Sequence, residues 1–311
     1  PVRTTSLNYG ASAGQIQMIH LDYLHDLGYT GNGMIIAMLD AGFSNADQVS
    51  FFSSLYGRNG VLSTWDFVAN EASVYEDDTH GEMCMSTIAA NTSGQMIGTA
   101  PDVSLILLRT EDAPTENIVE EYNWAAGAEY ADSAGADIIS SSLGYSEFDD
   151  ATQNHVYQDM DGNTCPSSVA ANIAANKGIL PVISAGNLGS SPWHYISAPG
   201  DADKAMTAGA VDGSGNYAHF SSYGPTSDGD VKPNVVTQGV FAIVSDPSSN
   251  ITGASGTSFS CPILAGATAC LWSAYPAKTN MEIRSVIEQS ASLYPNPNDS
   301  LGYGIPNFQA A

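Results

Sequence analysis

The chain has 311 residues, 43% of them hydrophobic, enough for one sizeable core. Its 33 acidic residues against 8 basic ones give a formal net charge of −25, a field that opposes a nucleic-acid partner. No apolar run approaches the length needed to cross a bilayer, which argues against a membrane anchor.

The acidic excess reads first as a solubility device for an extracellular, saline or cold setting, and second as clusters that hold calcium or attract cationic substrates. The opening PVRTTSLNYG lacks the charged-then-apolar pattern of a signal peptide, so a leader is either absent or already removed. Cys84, Cys165, Cys261 and Cys270 show no CxxC or Cys/His spacing suited to zinc.

In chain order, MIIAML (34–39), VSLILL (103–108), ADIISSSLG (136–144) and ILPVISAG (179–186) are continuous apolar runs, the pattern of buried parallel strands. Between them, segments 81–92, 116–135 and 167–178 carry helical spacing and end at Asn, Ser or Gly. The last third adds AMTAGAV, then VVTQGVFAIVS, a small-residue helix over 258–275 and a final helix over 280–292. Strand and helix in turn predict an α/β fold, a three-layer sandwich around a mostly parallel sheet. With no repeat and no low-complexity linker, residues 1–311 read as a single domain.

In such sheets functional groups gather where the strands' carboxyl ends emerge. Asp40 follows the first run, Asn187 the fourth, and the loops before helices 81–92 and 259–275 carry His80 and Ser258. A serine hydroxyl attacks only when an imidazole takes its proton and a carboxylate holds that imidazole in the right tautomer. Asp40, His80 and Ser258 supply those parts. The Asn187 side chain and the Ser258 amide, at the positive end of a helix, could hold an oxyanion.

Each residue alone reads equally well as a turn, cap or surface group. Their order, each on the expected element, resembles the subtilisin-like serine proteases. IIAMLDAGF resembles that family's aspartate motif, DDTHGEMCMSTIAA its histidine motif, VISAGN its oxyanion-asparagine motif and GTSFSCPILAG its serine motif, over about residues 30 to 290. The resemblance implies a subtilisin-like catalytic domain in mature form and an acyl-enzyme route to peptide hydrolysis. It implies protein or peptide substrates, an N-terminal propeptide in the precursor and a secreted, bacterial setting. It implies no cofactor for catalysis, though structural calcium is a family trait.

It also implies that Ser142, Leu143 and Gly144 in SSLG offer a strand edge to the substrate. A second binding strand then falls near TEDAP, where Glu111 and Asp112 would favour a neighbouring Lys or Arg. The motif departs from the family at Glu82 and Met83, and Glu82 is expected to raise the proton affinity of His80. Gln238 stands where the family has proline.

Cys84, one helical turn beyond His80, matches the free cysteine of proteinase K-like subtilases. Cys261 reads as packing in the first helical turn just before Pro262, and a Cys84–Cys261 disulfide is conceivable. The long segment 145–166 carries Asp149, Asp150, Asp159 and Asp161. They supply calcium-type oxygens without a full calcium-loop pattern.

Overall fold

The computed structural model describes residues 6–311, so the first half of the opening decapeptide lies outside the described residues. Seven parallel strands form the central sheet: β1 (Ile35–Asp40), β2 (Val61–Asp66), β3 (Ser104–Arg109), β4 (Ile138–Ser141), β5 (Leu180–Ser184), β6 (Met206–Val211) and β7 (Val235–Gln238). Their spatial order is β2-β3-β1-β4-β5-β6-β7. The continuous apolar runs become strands buried on both faces, as expected. β2 had no such signal: VLSTWD is a partly exposed edge strand that mixes apolar and polar residues.

The pleat explains the three layers, because successive side chains point to opposite faces. Ile36 and Met38 of β1 join a core with Cys84, Ile88, Ile263 and Leu264. Ala37 and Leu39 join another with Trp124, Ala128, Ala171 and Ala174. The first core is covered by α1 (His80–Ala89) and α4 (Thr257–Ala274), the second by α2 (Val119–Ser133) and α3 (Pro166–Lys177). A fifth helix, α5 (Asn280–Ser290), packs Ile283 and Ile287 into the first core. All 7 strands run one way, so their carboxyl ends form one edge, where β1 lies between β3 and β4.

The apolar stretch VVTQGVFAIVS breaks in two. β7 ends at Gln238, whose amide donates to Val240 O (3.4 Å) and Phe241 O (3.2 Å) and closes the turn. The chain then forms an antiparallel hairpin, β8 (Ala242–Ser245) with β9 (Ile251–Ala254). Lys232 is wholly buried, and its ammonium donates to Ala202 O (2.7 Å) and Ala205 O (2.9 Å), tying the loop before β6 to the start of β7.

Candidate active site

β1 ends at Asp40, which is 1% exposed and paired in register with Arg109 of β3. Asp40 Oδ1 accepts from the Ala41 amide (2.8 Å) and from His80 Nδ1 (2.7 Å), leaving Nε2 as the imidazole's free nitrogen. His80 is the first residue of α1, one place earlier than expected. The helix can start this close to β1 because residue 81 is glycine: a Cβ there would lie 2.4 Å from Gly42 O and 3.0 Å from Asp40 Cβ. Burial pulls the imidazole's proton affinity down. The charge of Asp40 and its hydrogen bond outweigh that and hold it well above the usual histidine range.

Behind Asp40 sits a residue that carried no sequence signal. Arg109 is buried and donates to Ala41 O (3.2 Å), Asp66 (2.9 Å) and Asp112 (3.1 Å), with Asp77 at 3.2 Å. It clamps the ends of β1, β2 and β3, so Asp40 projects from a fixed edge.

Ser258 is the second residue of α4, inside the helix rather than in the loop before it. Its backbone amide makes no hydrogen bond among the described residues, as the first turn of a helix allows. Asn187 lies beyond β5, and its Oδ1 accepts from Thr257 N (2.8 Å) and Thr257 Oγ1 (2.9 Å). Those bonds fix the amide's orientation and leave its Nδ2 as the free donor. Ser258 Oγ makes no hydrogen bond to His80 among the described residues. That contact commonly tightens only with substrate.

Pro262 is not in the first helical turn as expected: it is the sixth residue of α4, four beyond Ser258. A helix would use the residue-262 amide to satisfy the Ser258 carbonyl, and proline has none. Two side chains fill the vacancy, Ser142 Oγ at 2.8 Å and Cys84 Sγ at 3.2 Å. Cys84 is fully buried and also lies 3.9 Å from His80 Nδ1. Burial raises its thiol's pKa, so it is a neutral donor rather than a nucleophile. Cys261 is equally buried, with its thiol against Val182 O (3.2 Å) and Ser141 O (3.4 Å). The conceivable Cys84–Cys261 disulfide is therefore corrected: all four cysteines are free thiols, and these two are engaged on different carbonyls.

Glu82 requires a second correction. It is fully buried, facing Ser245 rather than the rim, and Oε1 accepts from Ser245 Oγ at 2.6 Å. Residues two apart on a helix point about 200° from one another, so Glu82 turns away from His80. Burial raises its carboxyl to about 8, so at neutral pH the protonated, uncharged form dominates.

A cleft of about 330 Å³ runs beside His80, lined by Ser142, Leu143, Gly144, Glu111, Glu116 and Asp78 among others. The expected strand edge and Glu111 thus meet beside His80, joined by Glu116 and Asp78, which sequence reasoning missed. Asp112 lines the adjoining cavity and is paired with Arg109. The acidic residues of 145–166 do not converge. Asp149 accepts from Glu116 N, Asp150 from Thr152 N, Asp159 from Val156 N and Asp161 from Asn163 N. None of them belongs to a group of three or more converging ligands among the described residues. Outside the cleft, Asp203, Asp228 and Asp230 do converge, drawn together from two loops that the sequence gives no reason to join. No helix is long and apolar enough to cross a membrane among the described residues.

Comparison with known proteins places the chain in a family. The profile of the Subtilase family (Peptidase_S8) matches residues 31–304. The chain is 30% identical over 300 residues to Subtilisin BL of Lederbergia lenta, covering 95% of this chain and 97% of that one. It is 31% identical over 300 residues to Subtilisin E of Bacillus subtilis (strain 168), covering 95% and 70%. Among solved structures, MycP1 with its N-terminal propeptide removed superposes with a TM-score of 0.74, at 21% identity over 96% of this chain and 95% of that one. The chain belongs to the subtilase family and is a serine-type endopeptidase.

Proposed function

We propose that the protein is a secreted bacterial endopeptidase that cleaves proteins through an acyl-enzyme, with Ser258 as nucleophile. His80 takes the Ser258 proton at Nε2 and returns it to the leaving amine. Asp40 holds the imidazole's tautomer and stabilises its cation. Asn187 Nδ2 and the Ser258 amide stabilise the oxyanion, and Ser142, Leu143 and Gly144 pair with the substrate's main chain. These steps run on side chains and backbone amides alone.

The observation that carries the reading is the 2.7 Å Asp40–His80 hydrogen bond opening onto the cleft beside Ser142–Gly144. The relatives from Lederbergia lenta and Bacillus subtilis support a bacterial origin, and the net charge of −25 suits an extracellular setting. One continuous sheet and a family match over 31–304 support reading residues 1–311 as one catalytic domain. MycP1 was solved with an N-terminal propeptide removed, which supports a propeptide in this protein's precursor. Structural calcium enters as a family trait with no ligand set in 145–166, and a melting temperature with and without chelator tests it. For the reaction itself, Ser258→Ala is expected to abolish casein hydrolysis while leaving the fold intact by circular dichroism. Full activity in that variant would defeat the reading.

A further inference from the structure

The cleft beside His80 carries more carboxylate than the triad requires. Glu111, Glu116 and Asp78 all line it, and no lysine or arginine does among the described residues. Glu111 is only 8% exposed; its Oε2 accepts from Tyr145 OH at 3.0 Å, while Oε1 accepts no hydrogen bond among the described residues. The Glu116 carboxylate accepts none either among those residues. Glu111, Glu116 and Glu120 bring oxygens within 4.8 Å of one another. Glu120 is committed to the loop, accepting from Asn117 N (2.9 Å) and Asp112 N (3.3 Å). Arg109, nearby, is committed to Asp66, Asp77 and Asp112. Two buried or half-buried carboxyls with free oxygens therefore face a substrate cleft with no lysine or arginine among the described residues to meet them.

We propose that this wall is a subsite for a lysine or arginine side chain of the substrate, with Glu111 Oε1 and the Glu116 carboxylate as acceptors. The proposal rests on the reading of Ser258 as the nucleophile of an endopeptidase and names that enzyme's substrate class. An ammonium or guanidinium supplies donors to both groups and offsets their mutual repulsion, which a neutral side chain cannot do. Asp112, expected at the sequence level to share this role, is replaced in it by Glu116.

The preference grows with pH. Burial, with Glu120 and Glu116 adding repulsion, pushes Glu111 up to about 9. Burial, with Glu120 and Asp149, pushes Glu116 up to about 7. Tyr145, Glu120, Glu116 and Asp40 act on Glu111, Glu120 and Asp149 act on Glu116, and Asp78 and His80 share the wall. A cationic guest displaces the carboxyl protons, and those protons are already gone at higher pH.

The test is a set of peptides differing in one residue, Lys, Arg, Gln, Leu or Glu, at each position preceding the scissile bond. The readout is the ratio of kcat/KM for the basic peptide to that for its Gln counterpart, in which the triad's own titration cancels. At one position the ratio should be about 10- to 100-fold near pH ~9, smaller near pH ~6, and should collapse toward one in Glu111→Gln/Glu116→Gln. Glu116→Gln alone, at a half-exposed position, should lower it about 3- to 10-fold and serves if the double variant does not fold. An unchanged ratio in the folded variants overturns the proposal, as does no basic preference while Gln and Leu peptides are cut. Stoichiometric Ca²⁺ binding to Ser258→Ala that is lost in Glu111→Gln/Glu116→Gln, with the ratio falling as Ca²⁺ is added, also overturns it, because the cluster is then a metal site. Failure to cut any peptide or casein defeats the protease reading itself, an outcome distinct from the others.

Discussion

The carbonyl of Ser258 offers a sharp test of how the proposed nucleophile is held. Pro262 removes the helical donor, and Ser142 Oγ (2.8 Å) and Cys84 Sγ (3.2 Å) replace it. Losing one donor leaves the other, so Ser142→Ala or Cys84→Ala alone should cost about 1 kcal/mol. Losing both strands a buried carbonyl, and Cys84→Ala/Ser142→Ala should cost about 1–3 kcal/mol beyond the sum of the single changes. Pro262→Ala restores an amide at the vacant helical position. It should recover about 1–2 kcal/mol in the double variant and far less in the parent, where the carbonyl is already satisfied. Chemical denaturation in a Ser258→Ala background avoids autolysis, and kcat on a peptide substrate is read in the active background. If Pro262→Ala shifts stability equally in both backgrounds, the vacancy is not what Ser142 and Cys84 fill.

Other expectations follow from the same geometry. Asn187→Ala should lower kcat about 10²–10³-fold with little change in KM, a magnitude taken over from subtilisin's own oxyanion asparagine; a change confined to KM would refute the role. Glu82 titrates near 4.5 when unfolded and at about 8 when folded, so the folded protein holds an extra proton between those values. Stability from this group is therefore full below about 4.5, falls as pH rises toward about 8 and levels off beyond. Glu82→Gln should remove that fall, gaining about 2–4 kcal/mol relative to the parent between acid and alkaline pH. Denaturation curves at several pH values check it, and parallel curves for the two proteins would contradict it.

The strands of the sheet core and the residues at its edge were readable because each depends on local pattern. Continuous apolar runs mark strands buried on both faces; Asp40 ends one and Asn187 follows another, while His80 and Ser258 stand at the starts of two helices. β2 escaped because an edge strand needs no apolar run, and VVTQGVFAIVS concealed the turn at Gly239–Phe241. Glu82 was misjudged although its direction was implicit in helical geometry: two residues from His80 is the opposite side, and four, at Cys84, is the same side. Arg109, Glu116 and Asp78 gave no signal at all. Their roles arise from contacts between β1, β2, β3 and separate loops, which exist only once the chain has folded.

The proposed chemistry turns on Ser258 attacking with the help of His80. The most direct measurement treats the active protein with a fluorophosphonate and locates the adduct by peptide mass spectrometry. One adduct per chain on Ser258, lost in His80→Ala, is the predicted result. Labelling at another residue, or undiminished labelling in His80→Ala, would contradict it.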